Sequence, residues 1–174
     1  MNNPAETRIV GGEDEYLARM TKEDRQNLQM LGSAFAQVLH EQQRNGALIV
    51  VGGTLTKQLP RKDIDLIVIL EGERDDSKVG EKSGYDLAME QFGTLENLLR
   101  EITTKTRSLA VERTQPPSID EEYQNPNILK SDGSIILKSG NGTPIEIIRS
   151  PKKQTYEEFK AGEKKRPYIL LERV

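Results

Sequence analysis

Cysteine is absent from this chain of 174 residues, and histidine occurs once, at His40. Without cysteine the chain can form no disulfide bond, thiolate nucleophile or zinc–thiolate site. A Ser-His-Asp triad would have to use His40, which falls among glutamine and glutamate residues in a predicted helix and is expected to lie on its surface. Catalysis by this chain must therefore depend on carboxylates, lysines, arginines and metal ions.

Aromatic residues, basic charge and long apolar segments are also scarce. Aromatics make up 5% of the chain and the net charge is −3. The sequence has no basic stripe with interleaved aromatics, the pattern that would indicate a nucleic-acid interface. The longest apolar run, residues 66–70, is far too short to span a bilayer. The polar first residues carry no apolar signal core. These features predict a cytoplasmic protein with no membrane partner.

The pattern of apolar residues predicts one domain over residues 21–174, preceded by a loosely ordered segment over residues 1–20. Thr21 is expected to cap the first long helix, with Asp24 forming a capping-box-like start and Asn45-Gly46 ending it. The fold class predicted is α/β (α+β), a mixed β-sheet with helices packed on it. The predicted helices cover residues 22–44, 85–104 and 155–161, and the predicted strands cover residues 47–51, 63–70, 108–112, 128–130, 134–138, 143–149 and 168–171.

Two aspartates begin the second predicted strand, in the order Asp63-Ile64-Asp65. Alternate side chains of a strand share a face, so Asp63 and Asp65 should project together, with Ile64 on the other side. Two carboxylates about 6–7 Å apart repel each other unless a cation lies between them. Mg²⁺ suits such a pair, because it prefers hard oxygen ligands and leaves positions for substrate phosphates.

A pair of glycines ends the preceding strand. Gly52 and Gly53 lack side chains, so a phosphate could approach the backbone amides there, and the Thr54 hydroxyl could add a donor. Basic residues follow between the glycines and the acids. One or two of these are candidates to bind phosphate, although a solvated position is usual for such long side chains. They are Lys57, Arg61 and Lys62, and the same question applies to Arg149, which follows Glu146.

This order of motifs resembles the DNA polymerase beta-type nucleotidyltransferase superfamily. The family has glycine followed by glycine or serine, then an Asp-x-Asp or Asp-x-Glu pair about ten residues later, and Gly52, Gly53, Asp63 and Asp65 match it. The family also has a third carboxylate between apolar residues on a later strand. Glu146 is the candidate, with Glu112 as the weaker alternative because a charged residue follows it.

The resemblance implies a nucleotidyltransferase-type fold and a two-metal Mg²⁺ site. It implies transfer of a nucleoside monophosphate from a nucleoside triphosphate, with ATP expected, to a hydroxyl acceptor with release of pyrophosphate. Asp63, Asp65 and Glu146 would be the metal ligands and catalytic residues, with Glu146 as the base. The acceptor could be a small molecule, a protein or RNA, and a second copy or a partner protein could complete its site.

Other interpretations of the same residues remain open. Gly52-Gly53 could be a tight turn, Asp63 a strand cap and Glu146 a solvent-facing residue. The chain could instead be a catalytically weak or inactive nucleotidyltransferase-fold module that binds a partner in an antitoxin-like way. A nucleic-acid binder is the least supported, given the net charge and the few aromatics.

Overall fold

The structure, a computed structural model, describes residues 20–51, 62–72, 83–149, 155–162 and 168–174. Three helices and eight strands lie within these ranges. The helices are α1 (Lys22–Glu41), α2 (Gly84–Thr106) and α3 (Tyr156–Gly162). The strands are β1 (Gly46–Val51), β2 (Ile64–Leu70), β3 (Ala110–Gln115), β4 (Ser118–Ile119), β5 (Leu129–Ser131), β6 (Ser134–Lys138), β7 (Ile145–Arg149) and β8 (Ile169–Arg173).

Six strands form a mixed sheet in the order β3-β6-β7-β2-β1-β8, and β4 and β5 form a separate two-stranded sheet. Strand β2 is central and pairs antiparallel with β1 and parallel with β7. The other neighbours in the large sheet are antiparallel. The predicted class, a mixed sheet with helices packed on it, is therefore confirmed.

The two long helices cover one face of the large sheet. The predicted stripe of α1, from Leu28 to Leu39, is buried, and α2 contributes a matching stripe that includes Phe92 and Ile102. Both stripes repeat every three or four residues, so they lie on one side of a helix with 3.6 residues per turn. They pack on alternate residues of β2, among them Leu66, which is fully buried.

A smaller apolar cluster lies on the opposite face. Helix α3 and the residue that precedes β8 supply Tyr156, Phe159 and Tyr168, whose rings pack edge to face. They cover Ile49 of β1 and Ile69 of β2. Val51 and Ile67 are partly buried and also pack against this cluster. Burial on this face therefore decreases from Ile69 towards the N-terminal end of β2.

Helix α1 begins as predicted but ends differently. The Thr21 hydroxyl accepts a hydrogen bond from the Asp24 amide at 3.1 Å, as an N-cap does. The helix stops at Glu41, and the left-handed residue is Gln43, with φ of 54°, rather than Gly46. Gly46 is the first residue of β1, and a Cβ there would lie 2.5 Å from the Ile69 carbonyl oxygen. Glycine is thus required at this position for close packing rather than for a turn.

The segment predicted as a long connection, residues 114–127, is partly structured. Its β4 strand pairs with β5, so β5 does not join β6 in a meander as expected. Pro116 and Pro117 between β3 and β4 lack amide hydrogens and therefore interrupt the strand without preventing a new pairing after it. The glycine of the predicted Asp132-Gly133 turn has φ of 88°. None of the helices in the described ranges has both the length and the apolar character needed to cross a membrane.

Candidate metal centre

Parallel pairing of β2 and β7 brings together acids that are far apart in sequence. Asp65 of β2 and Glu146 of β7 are direct partners in the register, and Ile64 is paired with Ile145 in the same way. Residues in register on neighbouring strands point to the same face, about 4.8 Å apart. The two carboxylates therefore stand side by side on one face of the sheet.

Asp63, the residue before β2, joins this pair. One carboxylate oxygen from each of Asp63, Asp65 and Glu146 lies within 4.8 Å of the others, and all three side chains are half-buried. The predicted division of faces is confirmed, because Ile64 and Leu66 are buried in the helix-side core. We refer to Asp63, Asp65 and Glu146 as the acidic triad.

The triad has the chemistry of a site for a hard cation. All three donors are carboxylate oxygens, which are the ligands that Mg²⁺, Mn²⁺ and Ca²⁺ prefer. Partial exposure leaves room for further oxygen ligands from water or phosphate. Three like charges this close together also repel one another, and a divalent cation between them relieves the repulsion. The residues present therefore suit a divalent metal ion, whose identity the donors alone do not specify.

Apolar side chains flank the triad on its own face. Ile67 and Ile148 are partners in the β2–β7 register, each two residues beyond an acid of the triad, and both are half-buried. Ile136 of β6 is paired with Glu146 and is also half-buried. Charges interact more strongly beside apolar groups than in bulk water, so this setting strengthens the attraction of the triad for a cation.

The alternative third acid, Glu112, lies elsewhere. It falls at the irregularity of β3, between Val111 and Arg113, and β6 separates β3 from β7. Its carboxylate is 4.0 Å from the ammonium group of Lys138 in an exposed ion pair. Among the described residues, only Asp63, Asp65 and Glu146 form an acidic group close enough to hold a metal ion. Glu146 rather than Glu112 is therefore the third carboxylate of this cluster.

Most of the predicted phosphate-binding residues lie outside the described ranges. They are Gly52, Gly53, Thr54, Lys57 and Arg61. Lys62 is described and is exposed, directly before Asp63. Val51, the last described residue before the glycines, is paired with Asp65. The C-terminal end of β1 therefore reaches the end of β2 where the triad lies. The phosphate contacts of the glycines stay a prediction.

Arg149, a basic residue close to Glu146 in sequence, faces away from the triad. Residues 145, 147 and 149 are the buried positions of β7, so Arg149 points to the helix layer, where it donates a 3.1 Å hydrogen bond to the Gln91 carbonyl. Desolvation by burial, with a smaller repulsion from Arg44, lowers the pKa of Arg149 to about 10. A role for Arg149 in binding phosphate at the triad is therefore ruled out by its orientation.

One contact near the triad has no local signal in the sequence. Asp24, in the first turn of α1, accepts hydrogen bonds from both the amide and the hydroxyl of Thr143, two residues before β7. The capping-box pattern explains the bond between Asp24 and Thr21 but does not predict this second partner. The two residues are 119 positions apart, so only the folded chain brings them together.

Comparisons with protein-family models, with curated proteins and with solved structures find no match for this chain.

Proposed function

We propose that this protein is an Mg²⁺-dependent nucleotidyltransferase. It transfers a nucleoside monophosphate from a nucleoside triphosphate, with ATP as the expected donor, to a hydroxyl acceptor and releases pyrophosphate. The observation that carries the proposal is the convergence of Asp63, Asp65 and Glu146 within 4.8 Å on adjacent strands. The order of the glycine pair, the two aspartates and the later glutamate along the chain supports it independently.

The chemistry assigned to the triad follows from its position. Asp63 and Asp65 would hold the cation, and Glu146 would complete the ligand set. Bound there, Mg²⁺ would neutralise phosphate oxygens and favour ionisation of the acceptor hydroxyl. The acceptor oxygen forms a bond to the α-phosphorus, the α–β phosphoanhydride bond breaks, and pyrophosphate leaves with its electron pair. The Glu146 carboxylate accepts the proton of the hydroxyl.

The phosphates of the donor are assigned to the segment between β1 and β2. Gly52 and Gly53 have no side chains, so a phosphate would have access to the backbone amides there, and the Thr54 hydroxyl would add a donor. Lys57, Arg61 and Lys62 supply positive charge for the triphosphate, which carries about four negative charges near neutral pH. Val51 supports this assignment, because its pairing with Asp65 directs β1 towards the triad.

The proposal is tested by two matched glutamate variants. Glu146→Gln removes a triad carboxylate but keeps its size, and Glu112→Gln makes the same change in an exposed residue two strands away in the same sheet. We expect Glu146→Gln to reduce pyrophosphate release at least about 100-fold, as loss of a general base and ligand does. Glu112→Gln should change it less than about fivefold, because an exposed ion pair contributes little.

The measurement is Mg²⁺-dependent binding of each ribonucleoside triphosphate by calorimetry, followed by pyrophosphate release in the presence of candidate hydroxyl acceptors. Equal loss in the two variants would contradict the assignment of the triad. Tight Mg²⁺-dependent binding by the wild type without pyrophosphate release from any acceptor would favour the inactive binding module instead. A wild type that binds neither Mn²⁺ nor nucleotide would refute the proposed function.

A further inference from the structure

One buried carboxylate, that of Asp24 in the first turn of α1, binds the segment just before β7. Asp24 is only 7% exposed. One of its oxygens accepts from the Thr143 amide at 2.8 Å, and the other accepts from the Thr143 hydroxyl at 2.7 Å. Hydrogen bonds to an ionised acceptor are short and about twice as strong as those between neutral groups. Both oxygens are thus committed to one residue.

The backbone beside Thr143 approaches α1 very closely. A Cβ on Gly142 would lie 2.8 Å from the Asn27 side-chain nitrogen and 3.0 Å from the Ser139 carbonyl oxygen. The Gly142 amide donates to that same carbonyl at 2.7 Å, which closes a tight turn. The loop between β6 and β7 is therefore held in a fixed position against α1, and Asp24 is the charged group that binds it there.

The next residue, Pro144, connects this segment to β2 through a backbone hydrogen bond. The Pro144 carbonyl accepts a 2.9 Å hydrogen bond from the amide of Ile64, which lies between Asp63 and Asp65. Proline has a fixed φ and restricts the residue before it to extended conformations, so the segment from Thr143 to Pro144 is stiff. Glu146 follows two residues later, in register with Asp65. A shift at Thr143 would therefore move Glu146 relative to both aspartates.

We propose that Asp24 is a positioning residue for the acidic triad. It lies in α1 on the helix-covered side of the sheet and acts on the triad only through Thr143, Pro144 and Ile64. Its two bonds to Thr143 set the alignment of β7 with the N-terminal end of β2, and with it the spacing of the three carboxylates. The inference rests on the proposed function for its consequence, metal binding, but the coupling itself is a property of the metal-free fold.

The variants separate this role from ordinary stability. Asp24→Ala removes both acceptors, and Thr143→Val removes only the hydroxyl while keeping the shape of the side chain. Thr143→Ser keeps both donors and should behave as the wild type. The matched control is Ser83→Ala, because the Ser83 hydroxyl caps α2 by accepting from the Asp86 amide at 3.1 Å, far from β7 in sequence. Loss of such a cap costs about 0.5–2 kcal/mol of stability.

The first measurement needs no metal. We expect Asp24→Ala and Thr143→Val to lose hydrogen-exchange protection at the Ile64 amide more than at the Val68 amide of the same strand. Ser83→Ala and Thr143→Ser should preserve the wild-type ratio of the two. If Asp24→Ala fails to fold, Thr143→Val decides the question alone. An unchanged ratio in the foldable variants overturns the proposal, whether or not the protein binds metal.

The second measurement is Mn²⁺ affinity by electron paramagnetic resonance titration. We expect Asp24→Ala to bind Mn²⁺ 10- to 100-fold more weakly than the wild type, the loss usual when a residue that orients metal ligands is removed. Thr143→Ser should retain wild-type affinity. Unchanged affinity in Asp24→Ala would overturn the role in metal binding. A wild type that binds no Mn²⁺ would refute the proposed function, while the exchange ratio at Ile64 would still decide the coupling.

Discussion

The two faces of the central sheet are built from the same strands but differ in composition and covering. On β2, Ile64, Leu66 and Val68 point to the helices and are at most 3% exposed. Asp65 and Ile67, which alternate with them, point to the other face and are half-buried. One face is thus a closed apolar layer, whereas the other is closed only around Ile69 and carries charge beside partly exposed apolar residues at the N-terminal end of β2. Stability is expected to depend mainly on the first face, and binding on the N-terminal end of β2 on the second.

The largest effect on stability is expected on the helix-covered face. Two neighbouring residues that point to opposite faces of the sheet test this. Leu66→Ala empties a fully buried position in the helix-side core, and it should lower the free energy of unfolding by about 2–5 kcal/mol. Ile67→Ala removes a half-buried side chain on the triad face and should cost about 1 kcal/mol. Urea unfolding measures both. Equal losses would show that the two faces are packed equally tightly.

A smaller effect on stability is expected at two glycines, one at the start of β1 and one in α2. Gly46→Ala would place a methyl group 2.5 Å from the Ile69 carbonyl oxygen and 2.8 Å from a Leu39 methyl, so it should cost about 1–3 kcal/mol. Gly93→Ala, in α2, meets no atom within 4 Å and should raise stability by about 0.5–1 kcal/mol. Thermal unfolding of the two variants should shift in opposite directions. A destabilised Gly93→Ala would mean that α2 is packed on its outer side as well.

The smallest effect on stability is expected on the triad face itself. Asp65→Asn removes one of three like charges whose oxygens lie within 4.8 Å, so without metal it should change the free energy of unfolding by less than about 0.5 kcal/mol or raise it slightly. The wild type is expected to gain melting temperature on binding Mg²⁺, and the same variant should lose that rise. Melting curves with and without Mg²⁺ test both expectations. A clear loss of stability in metal-free Asp65→Asn would identify Asp65 as a structural residue.

Local patterns predicted much of this fold. The stripe of α1 and its cap at Thr21 follow from helical spacing and from the hydroxyl that the first turn needs. The same reasoning put Asp65 on the opposite side of β2 from Ile64 and Leu66, because side chains of a strand alternate. The end of α1 was predicted wrongly. Glycine in Asn45-Gly46 signalled a turn, whereas the requirement at Gly46 is the close approach of Ile69, which no local pattern contains.

The sequence by itself determined which residues face together within each helix and strand, since that depends on fixed repeats of the backbone. It also supplied the acids, although Glu146 was distinguished from Glu112 only through a family resemblance. Only the tertiary structure decided the strand order that sets β7 beside β2 and Glu146 beside Asp65. It alone joined Asp24 to Thr143 across 119 residues. Such contacts depend on the packing of the whole sheet against its helices, so the residues next to each partner in sequence do not predict them.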